Sequence, residues 1–437
     1  MPEPTIFAVA SGTGRAAIAV LRITGISARH VVEALAGRVP APRRASLATL
    51  RDPVSGEPLD DALVLWFPGP WSFTGEDAAE LHLHGGRAVI QGVLDALSRF
   101  EGVRPAVAGE FTRRALRSGK MDLADVEGLA DLIDAETAAQ RRLARRQLDG
   151  GLGRWAEDIR GALVEALAVA EGAIDFSEDD DLLSSFQKDV KQQVSSTRDK
   201  ILAELLAGER SERIRDGFVV AIAGAPNVGK STLLNALAGR DAAIVSIHAG
   251  TTRDPIEVDL DLRGYAVRLI DTAGLRDTPD PVEQEGIARA KARAAAADLV
   301  LWLHDGPIGP VRTEVIGDVA VWTVATKIDA ASISAQTDFA ISAHTGEGVA
   351  QLVEALTEHV ARVSVGGDSA GVTRLRHRVA LREAADHLGA ASRCDPGHLE
   401  LIAEDLRAAL AALADLTAPV DTEEVLGSIF ARFCIGK

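Results

Sequence analysis

Cysteine is nearly missing: the 437 residues hold 2, Cys394 and Cys434. That excludes a disulfide framework and a paired-cysteine metal site, and it fits a reducing compartment. No apolar run approaches the roughly 18 residues of a membrane span. The first residues, Met1-Pro2-Glu3-Pro4, lack the basic start of a secretory leader, so the expectation is a cytoplasmic protein without a membrane partner. Positive charge is also short, with 47 Lys+Arg against 64 Asp+Glu and a net charge of −17. Nucleic-acid binding by the average surface is therefore excluded, and any RNA must meet a local basic patch. What is present is ordinary globular material, 47% hydrophobic and 25% charged. At roughly 150 residues per domain, the length suggests about three domains.

Residues 1–118 mix short strands with turns. Ala16 to Ile23 and Ala62 to Phe67 read as buried strands closed by Gly or Pro, and Val89 to Leu97 has helical spacing, which predicts an α+β domain. From about Asp122 the texture becomes Ala-, Leu- and Arg-rich helix, with Leu123, Val126, Leu129 and Ile133 on one face. The same spacing returns from Leu399 to Leu416. Between these helical blocks lies an alternating strand–helix segment, so the pattern predicts a helical domain interrupted by an inserted module. Two separate helical appendages are the alternative. The acidic stretch Asp175 to Asp181 reads as a solvated loop between helices.

The strand Phe218 to Ala223 runs into Gly224-Ala225-Pro226-Asn227-Val228-Gly229-Lys230-Ser231 and then a helix beginning near Thr232. This is GxxxxGKS in its strand–loop–helix setting, in which backbone N–H groups and a helix N-terminus cradle phosphates. Lys230 is expected at the β/γ-phosphates and Ser231 on Mg²⁺. Asp271-Thr272-Ala273-Gly274 closes the strand Tyr265 to Ile270, with Asp271 holding magnesium through water and the Gly274 N–H sensing the γ-phosphate. Thr252, in Gly250-Thr251-Thr252-Arg253-Asp254, can complete the metal shell. Thr326-Lys327-Ile328-Asp329 follows another strand. Asp329 can accept guanine N1–H and the 2-amino group, which selects GTP, while Ser342-Ala343-His344 supplies backbone near the base.

Four blocks in that order, each at a strand end, resemble the translation-factor-like GTPases. That superfamily usually has Asn where Thr326 stands. Thr lacks the amide that ties the base to the phosphate loop, so the expectation is an altered base grip. Leu275 follows the DTAG turn where Ras-like proteins carry a water-orienting Gln, so hydrolysis needs help from elsewhere: Arg253, Arg276, Glu283, Glu285 or a bound cation.

Further blocks make the chain recognisable. They are Trp66-Phe67-Pro68-Gly69-Pro70, Ser72 to Asp77, Glu80-Leu81-His82-Leu83-His84-Gly85-Gly86, Gly109 to Ala115, Gly119 to Leu123, and the terminal Phe433-Cys434-Ile435-Gly436-Lys437. Together they closely resemble the tRNA uridine-modification GTPases, the MnmE (TrmE) family. The resemblance implies a multidomain chain: an α+β N-terminal folate-binding and dimerisation domain at 1–118, a discontinuous α-helical domain at 119–214 and 371–437, and an inserted α/β P-loop GTPase domain at 215–370. It implies a homodimer with a tetrahydrofolate derivative (5-formyl or 5,10-methylene) at or near the interface, contacted by Arg22, Glu80, Lys120 and Lys437. Arg22 and Lys120 suit the glutamate tail and Glu80 suits the pterin N–H groups. From the residues alone, Arg22 reads instead as a solvated charge at a strand end.

The resemblance also places K⁺ beside the phosphates, on Asn227, Ser246, His248 and Thr251, and makes Glu283 the carboxylate that positions water. Cys434 becomes a nucleophile or proton donor, with a packed thiol as the even alternative. A flavoprotein of the MnmG type, carrying FAD, completes a heterotetramer. The reaction implied adds an aminomethyl or carboxymethylaminomethyl group to C5 of the tRNA wobble uridine, with GTP hydrolysis driving domain movement. Arg141 to Arg146 and Arg374 to Arg378 are the densest basic clusters available to tRNA, although both also read as solvated helix faces. Two other readings compete. A regulatory or ribosome-assembly GTPase acting by binding leaves the N-terminal and terminal motifs unused. A folate aminomethyltransferase with a structural G domain leaves Lys230, Ser231 and Asp271 unused.

Overall fold

The computed structural model describes residues 3–12, 14–175, 180–239, 257–271, 296–305, 319–330, 337–364, 369–395, 398–416 and 436. The chain divides into two compact units, Met1–Ala130 with Ala414–Lys437, and Asp131–Leu413.

The first unit is built on a six-stranded sheet: β1 (Thr5–Val9), β2 (Ile18–Thr24), β3 (Ser46–Arg51), β4 (Pro58–Phe67), β5 (Ala78–His84) and β6 (Val103–Pro105), in the order β3-β4-β5-β2-β1-β6. All pairings are antiparallel except β1 with β6. Strand alternation sorts the two faces. Leu21, Ile23, Val64, Leu81 and Leu83 are essentially sealed on one face under the apolar stripes of α1 (Ala28–Ala36) and α2 (Arg87–Leu97). Each such side chain contributes about 1.5–3 kcal/mol on burial. The other face is only partly covered. Phe111 of α3 (Glu110–Arg117) packs on Ile6 and Ala8, whereas Ile18, Leu47 and Leu63 stay 60%, 68% and 43% exposed. Helix α4 (Leu123–Asp134) follows.

In the second unit, helices α5 (Ala138–Leu148), α6 (Gly151–Asp175) and α7 (Asp180–Asp216) precede an α/β module, and α10 (Leu375–Arg393) and α11 (Leu399–Ala414) follow it. Of the apolar stripes expected from spacing, Leu123 and Val126 on α4 and Leu399, Ile402, Leu406 and Leu413 on α11 are buried, while Leu129, Ile133 and Leu410 are half-buried. Ile159, Leu163, Ala166 and Ala170 on α6 and Val190, Val194 and Ile201 on α7 are buried as well. The acidic stretch is less of a loop than its composition suggests. Asp175 ends α6, Asp180 and Asp181 begin α7, and only 176–179 lie outside the described residues.

The inserted module carries β7 (Phe218–Gly224), α8 (Lys230–Ala238), β8 (Glu257–Leu262), β9 (Tyr265–Asp271), β10 (Leu299–His304), β11 (Ala320–Ala325), β12 (Phe339–Ala340) and α9 (Val349–Ser364). The sheet order is β12-β11-β10-β7-β9-β8, parallel except for the β8–β9 hairpin. Both chain crossings into the module are fastened. Helix α7 passes through Gly217 (φ +84°) directly into β7. On the return, the buried Glu204 carboxylate of α7 accepts hydrogen bonds from the Ser369 hydroxyl and the Ala370 N–H, both at 2.8 Å. The hairpin tip touches the helical part as well: the Ala139 N–H, at the start of α5, donates to the Gly264 carbonyl at 2.9 Å. That satisfies one of the N–H groups a helix start otherwise leaves unbonded.

Candidate functional site

The nucleotide motif forms where the parallel strands β7, β10 and β11 end side by side. Gly224 (φ +146°) is required there: a Cβ would stand 2.4 Å from the Leu303 carbonyl oxygen of β10. Asn227 and Gly229 also take positive φ, 62° and 105°, which bends the loop so that Gly229 caps α8. This is the concave run of N–H groups that suits phosphates. Lys230 is buried, and its ammonium donates to the carbonyls of Gly224 at 3.1 Å and Ala225 at 3.0 Å. Burial lowers its pKa, with the nearby Asp271 charge opposing. Burial in turn raises the Asp271 carboxyl, against Lys230 and a hydrogen bond from the Ser231 hydroxyl at 3.5 Å.

Asp271 Oδ1 is buried and has no hydrogen-bond partner among the described residues. A carboxylate with one orphaned oxygen, its other oxygen facing the Ser231 hydroxyl, is an oxygen-only donor set, and it fits a hard cation such as Mg²⁺. Thr232 follows in the first turn of α8. Of the expected potassium ligands only Asn227 is described. Ser246, His248, Thr251, Thr252, Thr272, Ala273, Gly274 and Glu283 lie outside the described residues, as do Arg253, Leu275, Arg276 and Glu285.

At the base end Thr326 finds its partners in the phosphate loop and on β10. Its side chain is 4% exposed, and its hydroxyl donates to the Val228 carbonyl of the phosphate loop at 2.6 Å, with the His304 carbonyl at 3.2 Å. The amide of the usual Asn is absent, but the tie to the phosphate loop is made by the shorter hydroxyl. Lys327 has φ +58° and pairs with Asp305 at 2.7 Å. Asp329 is exposed, its carboxyl held below the usual range by hydrogen bonds from the Ser342 hydroxyl and its own N–H. Ser342 is buried, beside Ala343 and His344 in the following loop.

A second constellation lies in the N-terminal unit. Arg22 is within β2 rather than at a solvated strand end. It stands opposite Glu80 of β5 in register, and its Nε lies 2.9 Å from that carboxylate. Both line a cavity of about 220 Å³ bounded by Phe67, Trp71, Phe73 and Phe111 on the partly covered sheet face. Arg22 sits 5.9 Å above the Phe73 ring, and the Lys120 ammonium lies 5.6 Å from the Trp71 ring. Cations over aromatic faces beside a carboxylate suit a flat heterocycle bearing both N–H groups and an acidic tail.

The sequence reading missed the scaffold beneath this pocket. Arg114, 4% exposed, pairs with Glu76 at 3.0 Å and Glu110 at 3.2 Å, and the Thr24 and Thr74 hydroxyls meet at 2.6 Å. The signal was in the quoted Ser72–Asp77 and Gly109–Ala115 blocks, but not in any spacing. Gly436 (φ +107°) packs so closely on β1 that a Cβ would lie 2.4 Å from the Val9 carbonyl oxygen. Cys434 and Lys437 lie outside the described residues.

The two basic clusters are largely consumed internally. Arg145 pairs with Asp149, Arg146 donates to the Ser369 carbonyl, Arg374 pairs with Asp131 and Arg378 with Glu212. No described helix is long and apolar enough to cross a membrane.

Comparison with known proteins agrees with these features. A family model described as the MnmE helical domain matches residues 123–434, and one described as the GTP-binding protein TrmE N-terminus matches residues 5–120. The chain is 54% identical over 436 residues to the tRNA modification GTPase MnmE of Beijerinckia indica subsp. indica, covering 99% of this chain and 96% of that protein. It is 50% identical to the protein of the same name from Rhodopseudomonas palustris, covering 100% and 99%. Among solved structures, it is similar to a point variant of Era from Aquifex aeolicus bound to GDP·AlF4⁻, at 27% identity, over 34% of this chain and 57% of that chain, with a TM-score of 0.27.

Proposed function

The chain belongs to the MnmE family of tRNA modification GTPases, and from that premise we propose that it uses GTP hydrolysis to install a one-carbon-derived group at C5 of the tRNA wobble uridine. It is a GTP-binding GTPase. The observation that carries the finer reading is that one chain holds both a phosphate cradle, with Lys230, Ser231 and Asp271 in place, and a separate cation–carboxylate–aromatic pocket at Arg22 and Glu80. A GTPase acting by binding alone has no use for the second pocket.

In this reading Asn227 to Thr232 wrap the phosphates, with Lys230 neutralising developing charge and Ser231 and Thr252 holding Mg²⁺. Held there, magnesium would supply charge neutralisation to the phosphates. Thr272, Ala273 and Gly274 face the γ-phosphate, while Lys327, Asp329, Ser342, Ala343 and His344 hold guanine. Ser246 and Thr251 also contact the nucleotide in this reading. K⁺ is held by Asn227, Ser246, His248 and Thr251, and Glu283 positions the attacking water, a task Leu275 cannot perform. The strand β9 links this centre to the rest of the unit: it runs from Asp271 to the hairpin tip that bonds α5. A shift at Asp271 therefore has a mechanical route to the helical part.

The N-terminal pocket takes the tetrahydrofolate derivative, with Arg22, Lys120 and Lys437 on its acidic tail and Glu80 on its pterin. The tight seat of Gly436 against β1, next to the strand bearing Arg22, supports a terminal motif close to that pocket. Cys434 then acts as nucleophile or proton donor. The exposed apolar residues Ile18, Leu47 and Leu63, on the same sheet face as Arg22 and Glu80, support a homodimer with the pocket near its interface. We assign the four segments 1–118, 119–214, 215–370 and 371–437, a flavoprotein partner of the MnmG type and a cytoplasmic location. Mass spectrometry of tRNA nucleosides from cells lacking the protein tests the reading: the C5-modified wobble uridine is expected to vanish, and normal levels overturn it.

A further inference from the structure

We propose that Asp305 is the positioning residue of the base pocket: by anchoring the Lys327 ammonium it holds that side chain's stem against the face of the purine. The inference rests on the base-site reading given above. It concerns a residue that lies outside the motif blocks and follows an apolar strand.

The placement comes from the sheet. In β10, Leu303 is in register with Gly224 of β7 and His304 with Ala325 of β11. The three chains therefore leave the sheet at neighbouring points, into the phosphate loop after Gly224, at Asp305 in the middle, and into the base loop at Thr326-Lys327, with Asp305 level with Thr326. Asp305 is thus the first residue past the central strand, beside the base loop. Its neighbours are locked to each other. The Thr326 N–H donates to the His304 carbonyl at 2.7 Å, and the Thr326 hydroxyl reaches the Val228 carbonyl at 2.6 Å. Lys327 follows with φ +58°, one of four non-glycine residues with positive φ among the described residues, and Asn227 across the same site is another. Its Nζ lies 2.7 Å from Asp305 Oδ2.

The pair is not there for the fold. Lys327 and Asp305 are 47% and 46% exposed, and ion pairs that open to water contribute little to stability. A base stacked on the lysine stem changes this, because it excludes water from the pair and strengthens the attraction. The pair also fixes a side chain with many rotamers before the base arrives, so less ordering is left to binding. The Asp305 carboxyl is held below the usual range mainly by the Lys327 hydrogen bond, so the anchor is charged throughout the neutral range.

Stacking reads no exocyclic group, which gives the test its discrimination. Affinities of the full-length protein for GDP and IDP, which lacks the 2-amino group, are measured for Asp305→Ala, Asp305→Glu, Lys327→Ala and the Asp305→Ala/Lys327→Ala pair. Asp305→Ala is expected to weaken both nucleotides about tenfold, by the same factor, with part of the loss restored in Asp305→Glu. The double variant is expected to bind no worse than Lys327→Ala, and the melting temperature without nucleotide is expected to stay put. Asp305→Asn, which keeps the volume and drops the charge, gives the same reading if the alanine variant folds poorly. Affinity unchanged in Asp305→Ala while Lys327→Ala weakens overturns the role of Asp305 and leaves the base site standing. A double variant weaker than Lys327→Ala by the full Asp305→Ala factor overturns it too, as does a loss confined to GDP. Unchanged affinity in both Lys327→Ala and Asp329→Asn overturns the base site itself.

Discussion

The two sites solve the problem of buried charge in opposite ways. Around the N-terminal pocket, charges are matched before any ligand arrives: Arg22 with Glu80, Arg114 with Glu76 and Glu110, and Arg104 with Glu110. In the nucleotide loop they are desolvated and unmatched, with Lys230 resting on carbonyls and one oxygen of Asp271 lacking a partner among the described residues. The first arrangement gives a preformed cavity. The second stores the demand for an anion and a cation that a nucleotide with its metal satisfies.

The comparison breaks first at its strongest point. Lys230→Ala removes the cation that the loop is shaped around, and single-turnover assays are expected to show GTP hydrolysis reduced at least about a hundredfold. Binding of 5-formyltetrahydrofolate by the same variant, read by calorimetry, is expected to be unchanged. A folate loss would mean the two sites are not independent.

The reciprocal substitution is Glu80→Gln. It leaves Arg22 without its carboxylate while preserving shape, and calorimetry is expected to show folate affinity falling about tenfold, the scale of one charge-assisted contact. GTP turnover is expected to hold. Smaller again is Thr326→Val, which keeps volume and deletes the hydroxyl that donates to Val228. An unmet buried carbonyl costs about 1–3 kcal/mol, so both nucleotide affinity and thermal stability of the module are expected to fall together. Affinity loss without a stability change would show that the tie acts on the base loop alone.

The contrast also explains what the sequence could disclose. Phosphate-loop residues 224–231 are contiguous, and their geometry follows from glycine spacing, so the elements from β7 to α8 were legible one residue at a time. Arg22 and Glu80 are separated by 58 residues and meet only because β2 and β5 are antiparallel neighbours in a particular register. No local spacing encodes that pairing, and family resemblance alone pointed to it. Thr326 shows the converse case. The residue type is plain in the sequence, but its reach to the phosphate loop is not, and the structure shows the hydroxyl donating to Val228 at 2.6 Å. The arginine clusters were legible as charge, while their partners Asp131, Glu212 and Ser369 lie on other elements and became visible only on folding.

The smallest expected effects sharpen the comparison by sign. Glu110 and Asp271 are both desolvated carboxylates, and burial pushes each upward. For Glu110 that push is overruled by hydrogen bonds from Arg104 and the Val107 N–H, and its pKa ends below the usual value. For Asp271 it prevails, and the pKa ends above. A carboxyl lowered in the folded state contributes stability that is present above its unfolded pKa and lost as pH falls through the folded value. A raised carboxyl does the reverse, and stability falls as pH rises from the unfolded pKa through the folded one. In thermal melts of the nucleotide-free protein at pH 7, Glu110→Gln is therefore expected to lower the transition of the N-terminal unit by about 2–4 °C, and Asp271→Asn to raise that of the GTPase module by a similar amount. At pH 4 both differences are expected to shrink: the raised Asp271 carboxyl takes up its proton in the fold, and the Glu110 contribution declines once pH lies below the unfolded glutamate pKa and moves toward the lowered folded one. Two shifts of the same sign at pH 7 would mean that the matched pocket and the unmatched loop do not differ electrostatically after all.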